Sequence, residues 1–147
     1  MNIVFEKLNH NARLPEHSYG NQHDNVGMDF FAAEKPYWSL VANGIYYCVV
    51  STGLKVELPE KHHLRFASRS GLGFKENIIA FPGTVDNSYR GELKVKLFAF
   101  SDSFPKEIDV GDKIAQGIIF KSFDYSIVEG NVDENTERSS KGFGSSG

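Results

Sequence analysis

Apolar and polar residues alternate strictly in two stretches, Leu54-Lys55-Val56-Glu57-Leu58 and Leu93-Lys94-Val95-Lys96-Leu97. Successive side chains of an extended chain point to opposite faces. A period of two therefore predicts a strand with one dry face and one wet face. Ile3-Val4-Phe5, Ile45 to Val50, Leu64-Arg65-Phe66 and Ile114 to Phe120 predict further short strands. Between them stand residues suited to tight turns: Asn43-Gly44, Pro82-Gly83, Asp86-Asn87 and Gly111-Asp112. No window sustains the 3.6-residue period of an amphipathic helix, and the one helix expected is a short segment after Ser70. The pattern predicts an all-β domain, sandwich or barrel-like. The five prolines are almost evenly spaced, but the residues following them do not match, so no solenoid repeat is read.

The pattern changes near residue 124. Residues 1–123 read as the β domain and 124–137 as an acidic connector, with Glu129-Gly-Asn-Val-Asp-Glu-Asn-Thr-Glu137 at its polar end. Residues 138–147 form a glycine- and serine-rich terminus. Such a terminus is ordinarily a frayed end. This one carries Arg138, Lys141 and Phe143, and a bare linker has no use for a large aromatic ring.

Composition narrows the function classes. A chain of 147 residues with 40% hydrophobic residues is long and apolar enough for one packed core. A net charge of -3 argues against a general nucleic-acid binder, which needs a basic face. The single cysteine, Cys48, lies in an apolar run and reads as a buried, inert thiol. No signal peptide or membrane-spanning run is read, which predicts a soluble protein of a reducing, cytoplasmic compartment. His10, His17, His23, His62 and His63 show no metal-ligand spacing. No Walker loop is present, and Gly71-Leu-Gly-Phe-Lys-Glu-Asn77 lacks the third glycine and the βαβ setting of a dinucleotide fingerprint.

Three segments suit an anion. Arg69-Ser70-Gly71-Leu72-Gly73 combines charge, a hydroxyl and glycines where the helix is expected to start. Gly111-Asp112-Lys113-Ile114-Ala115-Gln116 is the second, although it reads most simply as a turn into a strand. The terminus from Arg138 is the third. Gly83-Thr84-Val85-Asp86-Asn87-Ser88-Tyr89-Arg90-Gly91 is more specific, with a carboxylate at a turn and an aromatic three residues on. As plain structure it is a hairpin loop. As chemistry, Asp86 is able to orient and deprotonate a water, and Tyr89 to pack on a sugar or base.

Taken together, these segments resemble the five ordered motifs of the trimeric dUTPase family. Val26-Gly27-Met28-Asp29-Phe30 resembles the first motif and Ser68-Arg69-Ser70-Gly71-Leu72 the second. Gly83 to Gly91 resembles the third, Gly111 to Gln116 the fourth and Arg138 to Gly147 the fifth. Thr52-Gly53-Leu54 fits a tripeptide common between the first two. The resemblance spans residues 26–147 and implies a distorted, jelly-roll-like β-barrel with a flexible C-terminal tail acting as an active-site lid. It implies hydrolysis of dUTP to dUMP and pyrophosphate by a homotrimer with shared active sites, with no nucleic-acid or membrane partner. For a viral chain it implies host cytoplasm or nucleus.

The resemblance also implies residue roles. Asp86 would activate the attacking water. Tyr89 would lie against the deoxyribose and exclude a 2'-hydroxyl. Uracil would be read by backbone groups around Ala80 to Val85, including Gly83, Thr84 and Val85, and by Lys94. Arg69, Ser70, Gly71 and Gln116 would contact the phosphates. Asp29 would hold water ligands of a Mg2+ borne mainly by the triphosphate. In the tail, Arg138 would reach the terminal phosphate, Phe143 would stack on uracil, and Gly144 and Ser145 would offer donors.

The chain departs from the pattern in places. Met28 stands where Tyr is usual, Ser68 where Pro is usual, and Ser88 where Asp is usual. Ser139-Ser140-Lys141 replaces Gly-x-Gly, which predicts a stiffer lid with one more positive charge. Two rival readings share the fold. A dCTP deaminase would carry a catalytic Glu ten residues after the motif aspartate, a position held here by Lys96. A regulatory protein-binding module would not need Asp86, Tyr89 and the tail intact.

Overall fold

The structure is a computed structural model and describes residues 1–145. The strands are β1 (Val4–Lys7), β2 (Glu16–His17), β3 (Met28–Phe31), β4 (Ser39–Ala42), β5 (Ile45–Ser51) and β6 (Leu54–Glu57). They continue with β7 (His62–Ala67), β8 (Ile78–Ala80), β9 (Thr84–Val85), β10 (Lys94–Phe100) and β11 (Lys113–Lys121), with one helix, α1 (Ser70–Glu76), between β7 and β8. All pairings are antiparallel. A five-stranded sheet runs β2-β3-β11-β7-β9, a four-stranded sheet runs β4-β5-β10-β8, and β1 pairs with β6. The all-β expectation and the helix after Ser70 both hold.

The alternating stretches bury the expected face. Leu54 and Val56 are buried while Glu57 is exposed, and Val95 and Leu97 are buried while Lys94 and Lys96 are exposed. Phe30, Leu54, Leu64, Ile78, Leu93, Leu97 and Ile114 form the centre of the core. Phe30 packs edge-on against Phe5 and Phe66. A side chain at Gly117 would run into Phe30 and Leu64, so glycine lets β11 pass close under that ring. Cys48 is buried, and burial pushes its thiol up to about 12.

β3 was not expected from the sequence. All four of its residues are buried, so it shows no alternation, and its aspartate reads as a break. α1 opens after Arg69 without a side-chain cap. It closes at Asn77, whose left-handed backbone (φ 52°) donates its N–H to the Leu72 carbonyl.

The turn between β6 and β7 holds the root of the C-terminal arm. The Ser122 N–H donates to the Lys61 carbonyl at 2.7 Å, and Lys61 Nζ lies 2.6 Å from Asp124 Oδ2. Beyond this point the hydrogen bonds of residues 125–145 are local, and Phe143 is fully exposed. Among the described residues, no helix is long and apolar enough to cross a membrane.

Candidate active site

The loop from Gly83 to Gly91 is built on β7. β9 pairs with it at Leu64 and Arg65, and the Phe66 N–H donates to the Gly83 carbonyl at 2.9 Å. The chain then turns, with the Tyr89 N–H donating to the Asp86 carbonyl at 3.1 Å. Tyr89 folds back over Gly91, and its hydroxyl donates to the Glu92 carbonyl at 3.1 Å. A Cβ on residue 91 would overlap that hydroxyl, so the glycine is what allows the ring to lie there.

These elements enclose a pocket of about 530 Å3. Of the residues that the motif resemblance singles out, Gly83, Thr84, Val85, Asp86, Tyr89 and Lys94 line it. Ala80 does not. Its residue pairs with Leu97, and its N–H is taken by Ser68 Oγ at 2.9 Å. Ser68, where proline is usual, thus clasps the second motif to β8.

Phe66, Glu92 and Leu93 complete the lining and were missed in the sequence. Glu92 accepts hydrogen bonds from the Ser51 hydroxyl and, at 3.2 Å, from the Gly53 N–H, and its other oxygen lies 3.7 Å from Lys94 Nζ. Thr52 Oγ1 donates to the Leu93 carbonyl at 2.6 Å. This network accounts for Thr52-Gly53-Leu54. Gly53 takes a left-handed turn (φ 64°), where a Cβ would press on Ala12 and Asn9 at 2.9 Å. The signal in the sequence was positional: Glu92 lies two residues before Lys94, in step with the strand's outward row.

A second group of motif residues assembles across the five-stranded sheet. Asp29 on β3 faces Gln116 on β11, and Gln116 faces Ala67 on β7, so the first, fourth and second motifs share one row. Arg69 follows two residues later. Its Nε donates to Asp29 Oδ1 at 2.8 Å, while Lys113 Nζ and Ser18 Oγ donate to Oδ2 at 2.8 and 3.2 Å. Burial would raise the Asp29 pKa, but the hydrogen bonds and charges of Lys113 and Arg69 outweigh it, and the net shift is downward. Gln116 Nε2 donates to the Ser68 carbonyl at 2.8 Å, and any side chain on Gly27 would collide with the Gln116 amide.

Ser68, Arg69, Ser70 and Gln116 line a second, open pocket of about 430 Å3, with Phe74 and Ile79 on its apolar rim. Gly71 sits in the first turn of α1, exposed, outside this lining. The two pockets share no lining residue.

The tail residues stand apart from both pockets. Arg138 Nε donates to the Lys141 carbonyl at 2.8 Å, and the Ser145 N–H donates to the Gly142 carbonyl at 3.1 Å. Phe143 and Gly144 both take left-handed conformations, with φ of 53° and 86°, so the chain bends around the exposed ring. Ser146 and Gly147 of the expected lid lie outside the described residues.

Among the described residues, no three His, Cys, Asp or Glu side chains cluster as metal ligands. An ionised carboxylate has about four acceptor sites. Asp29 uses three of them, on Arg69, Lys113 and Ser18. One remains, which suits a hydrogen bond from a metal-borne water and not direct ligation of a bare ion.

A β-fold of short antiparallel strands, with a pocket at the Gly83 to Gly91 turn and, elsewhere on the same five-stranded sheet, Arg69 and Lys113 gathered on a buried aspartate, is of a class suited to a phosphorylated ligand such as a nucleotide. The dUTPase family model matches residues 17–147. The deoxyuridine 5'-triphosphate nucleotidohydrolase of Hydrogenobaculum sp. is 36% identical, and the alignment covers 100% of this chain and 99% of that protein. The enzyme of the same name from the Wolbachia of Brugia malayi is 38% identical over 99% of this chain and 93% of its own. The structure of the Staphylococcus bacteriophage 80alpha dUTPase with dUPNHPP superposes with a TM-score of 0.79 at 26% identity, covering 99% of this chain and 98% of that one. The chain belongs to the dUTPase family.

Proposed function

We propose that this protein hydrolyses dUTP to dUMP and pyrophosphate. The observation that carries the reading is the pocket in which the exposed Asp86 carboxylate and the Tyr89 ring, seated on Gly91, face the same space. Asp86 takes a proton from a water, the water oxygen bonds to the α-phosphorus, and the bond from that phosphorus to the bridging oxygen breaks as pyrophosphate leaves. The Tyr89 ring leaves no room for a 2'-hydroxyl. Backbone groups of Gly83, Thr84 and Val85, with Lys94, read uracil. Cytosine would set its amino donor against a backbone donor, a mismatch that costs roughly 1–3 kcal/mol.

Arg69, Ser70, Gly71 and Gln116 bind the phosphates. A Mg2+ carried by the triphosphate would supply charge neutralisation, with Asp29 accepting from one of its waters. Arg138, Phe143, Gly144 and Ser145 close over the bound nucleotide, so residues 138–147 act as a lid and 124–137 as its arm.

The sites are shared in a homotrimer. Two observations support this: the pockets share no lining residue, and, among the described residues, the tail makes no hydrogen bond to the body of its own chain. The connector can extend about 45 Å, against roughly 35 Å for the breadth of a domain with a radius of gyration near 14 Å. A cytoplasmic setting suits the single buried thiol.

Lys96, at the position a deaminase would need a Glu, sits on the outer sheet face with its Nζ 4.8 Å from the Tyr47 ring and 5.2 Å from the Phe98 ring. The test is a panel of dUTP, UTP, dTTP and dCTP with Mg2+, assayed for pyrophosphate and ammonia. Pyrophosphate from dUTP alone is expected; ammonia from dCTP would overturn the reading.

A further inference from the structure

Among the described residues, no side-chain hydrogen bond holds the Asp86 carboxylate, so its aim depends on the backbone of its own turn. That turn is pinned by the next residue. The side-chain amide of Asn87, half-buried, donates to three carbonyl oxygens along the β6–β7 connection and the first residue of β7: Pro59 at 2.7 Å, Leu58 at 3.3 Å and His62 at 3.1 Å. One NH2 group has two hydrogens, so at least one is shared between acceptors. On the other side, Arg90 donates to the Asn87 and Tyr89 carbonyls at 2.5 and 3.0 Å.

We propose that Asn87 is a positioning residue for the hydrolysis, fixing the Asp86 turn to the β6–β7 connection so that the carboxylate meets the attacking water. The proposal rests on the reading of Asp86 as the base. The residue type is decisive. Three converging carbonyls require a donor-only group with more than one hydrogen, which the Asn amide nitrogen supplies and an aspartate carboxylate does not. An aspartate of the same shape would set one carboxylate oxygen, in the place of Nδ2, against all three carbonyls and push the turn outward. A displacement of about 1 Å at a reacting group can cost on the order of 100-fold in rate. Gly83 to Val85, Tyr89 and Lys94 line the nucleoside pocket, and none of them is a hydrogen-bond partner of the Asn87 side chain.

The test compares the full-length wild type with Asn87→Asp, Asn87→Ala and Asp86→Asn. Turnover of dUTP is measured beside calorimetric binding of a non-hydrolysable imido analogue, which reports both affinity and the number of intact sites. Asn87→Asp is expected to lower kcat by about 10- to 100-fold, with KM, analogue affinity and site number unchanged; Asn87→Ala is expected to lie between it and wild type. Wild-type kcat in either Asn87 variant, with Asp86→Asn inactive, overturns the positioning role alone. A fall in site number that matches the fall in kcat in both variants also overturns it, by making the role one of stability only. Wild-type turnover by Asp86→Asn overturns the reading of Asp86 and the positioning role with it.

Discussion

Asp29 and Arg69 meet across the sheet at 2.8 Å although 40 residues separate them in the chain. The carboxylate is buried and holds Lys113 together with the Arg69 guanidinium, which lines the second pocket. Hydrogen bonds to charged groups contribute about 1.5–3 kcal/mol each, so Asp29→Asn is expected to lower stability by about 2 kcal/mol at neutral pH. The pH dependence follows from the direction of the shift. The Asp29 pKa is depressed below 3.8, so its contribution is present above that value and is lost as pH falls through the folded pKa. The Tm difference between wild type and Asp29→Asn should therefore be constant above 3.8 and shrink below it. A difference that grows on acidification would rule out an ionised Asp29.

Gly91 makes room for Tyr89. Gly91→Ala should push the ring off its seat while leaving the fold intact, because the hydroxyl loses only its bond to the Glu92 carbonyl. The expected result is a loss of sugar discrimination: kcat/KM for dUTP falls by about 10-fold or more, and UTP gains relative to dUTP. Unchanged selectivity between the two would detach Tyr89 from the deoxyribose.

Ending the chain at Glu137 removes residues whose hydrogen bonds, as described, stay within the tail or its connector. Thermal stability should not change. Turnover should fall more than about 10-fold, since preorganised phosphate donors commonly contribute that much or more. Phe143→Ala in the full chain should weaken analogue binding. Full activity in the truncated protein would leave the tail without a role in closure.

Cys48 should be silent towards thiol reagents. Its pKa of about 12 leaves almost no thiolate at pH 8. Labelling is expected only with unfolding, so its rate in denaturant should follow loss of structure. Fast labelling of the native protein would place the thiol at the surface.

The sequence showed the strands that bury one face and hid those that do not. β6 and β10 announce themselves by alternation, and β5, β7 and β11 by β-branched and apolar runs. β3 is buried throughout, and β8 and β9 have three and two residues, too few for a period to register. The site was legible to the extent that its chemistry is local. Asp86, Tyr89, Arg69 and Gln116 sit in short recognisable segments. Glu92 and Asn87 act through partners far away in sequence, Ser51 and Gly53 for one and Leu58, Pro59 and His62 for the other. Such pairings exist only once strands have aligned. The departure at Ser68 became intelligible the same way, through its bond to Ala80.

The pocket of Asp86 and Tyr89 and the pocket of Arg69 and Gln116 have no lining residue in common. On the shared-site reading, damage to one does not spoil the other half of the same chain. A subunit lacking Asp86 still lends its Arg69 to a neighbour, and a subunit lacking Arg69 still lends its Asp86. Two dead alleles expressed in one cell would then rescue each other in mixed trimers, and the genetics of this protein would be the genetics of the assembly.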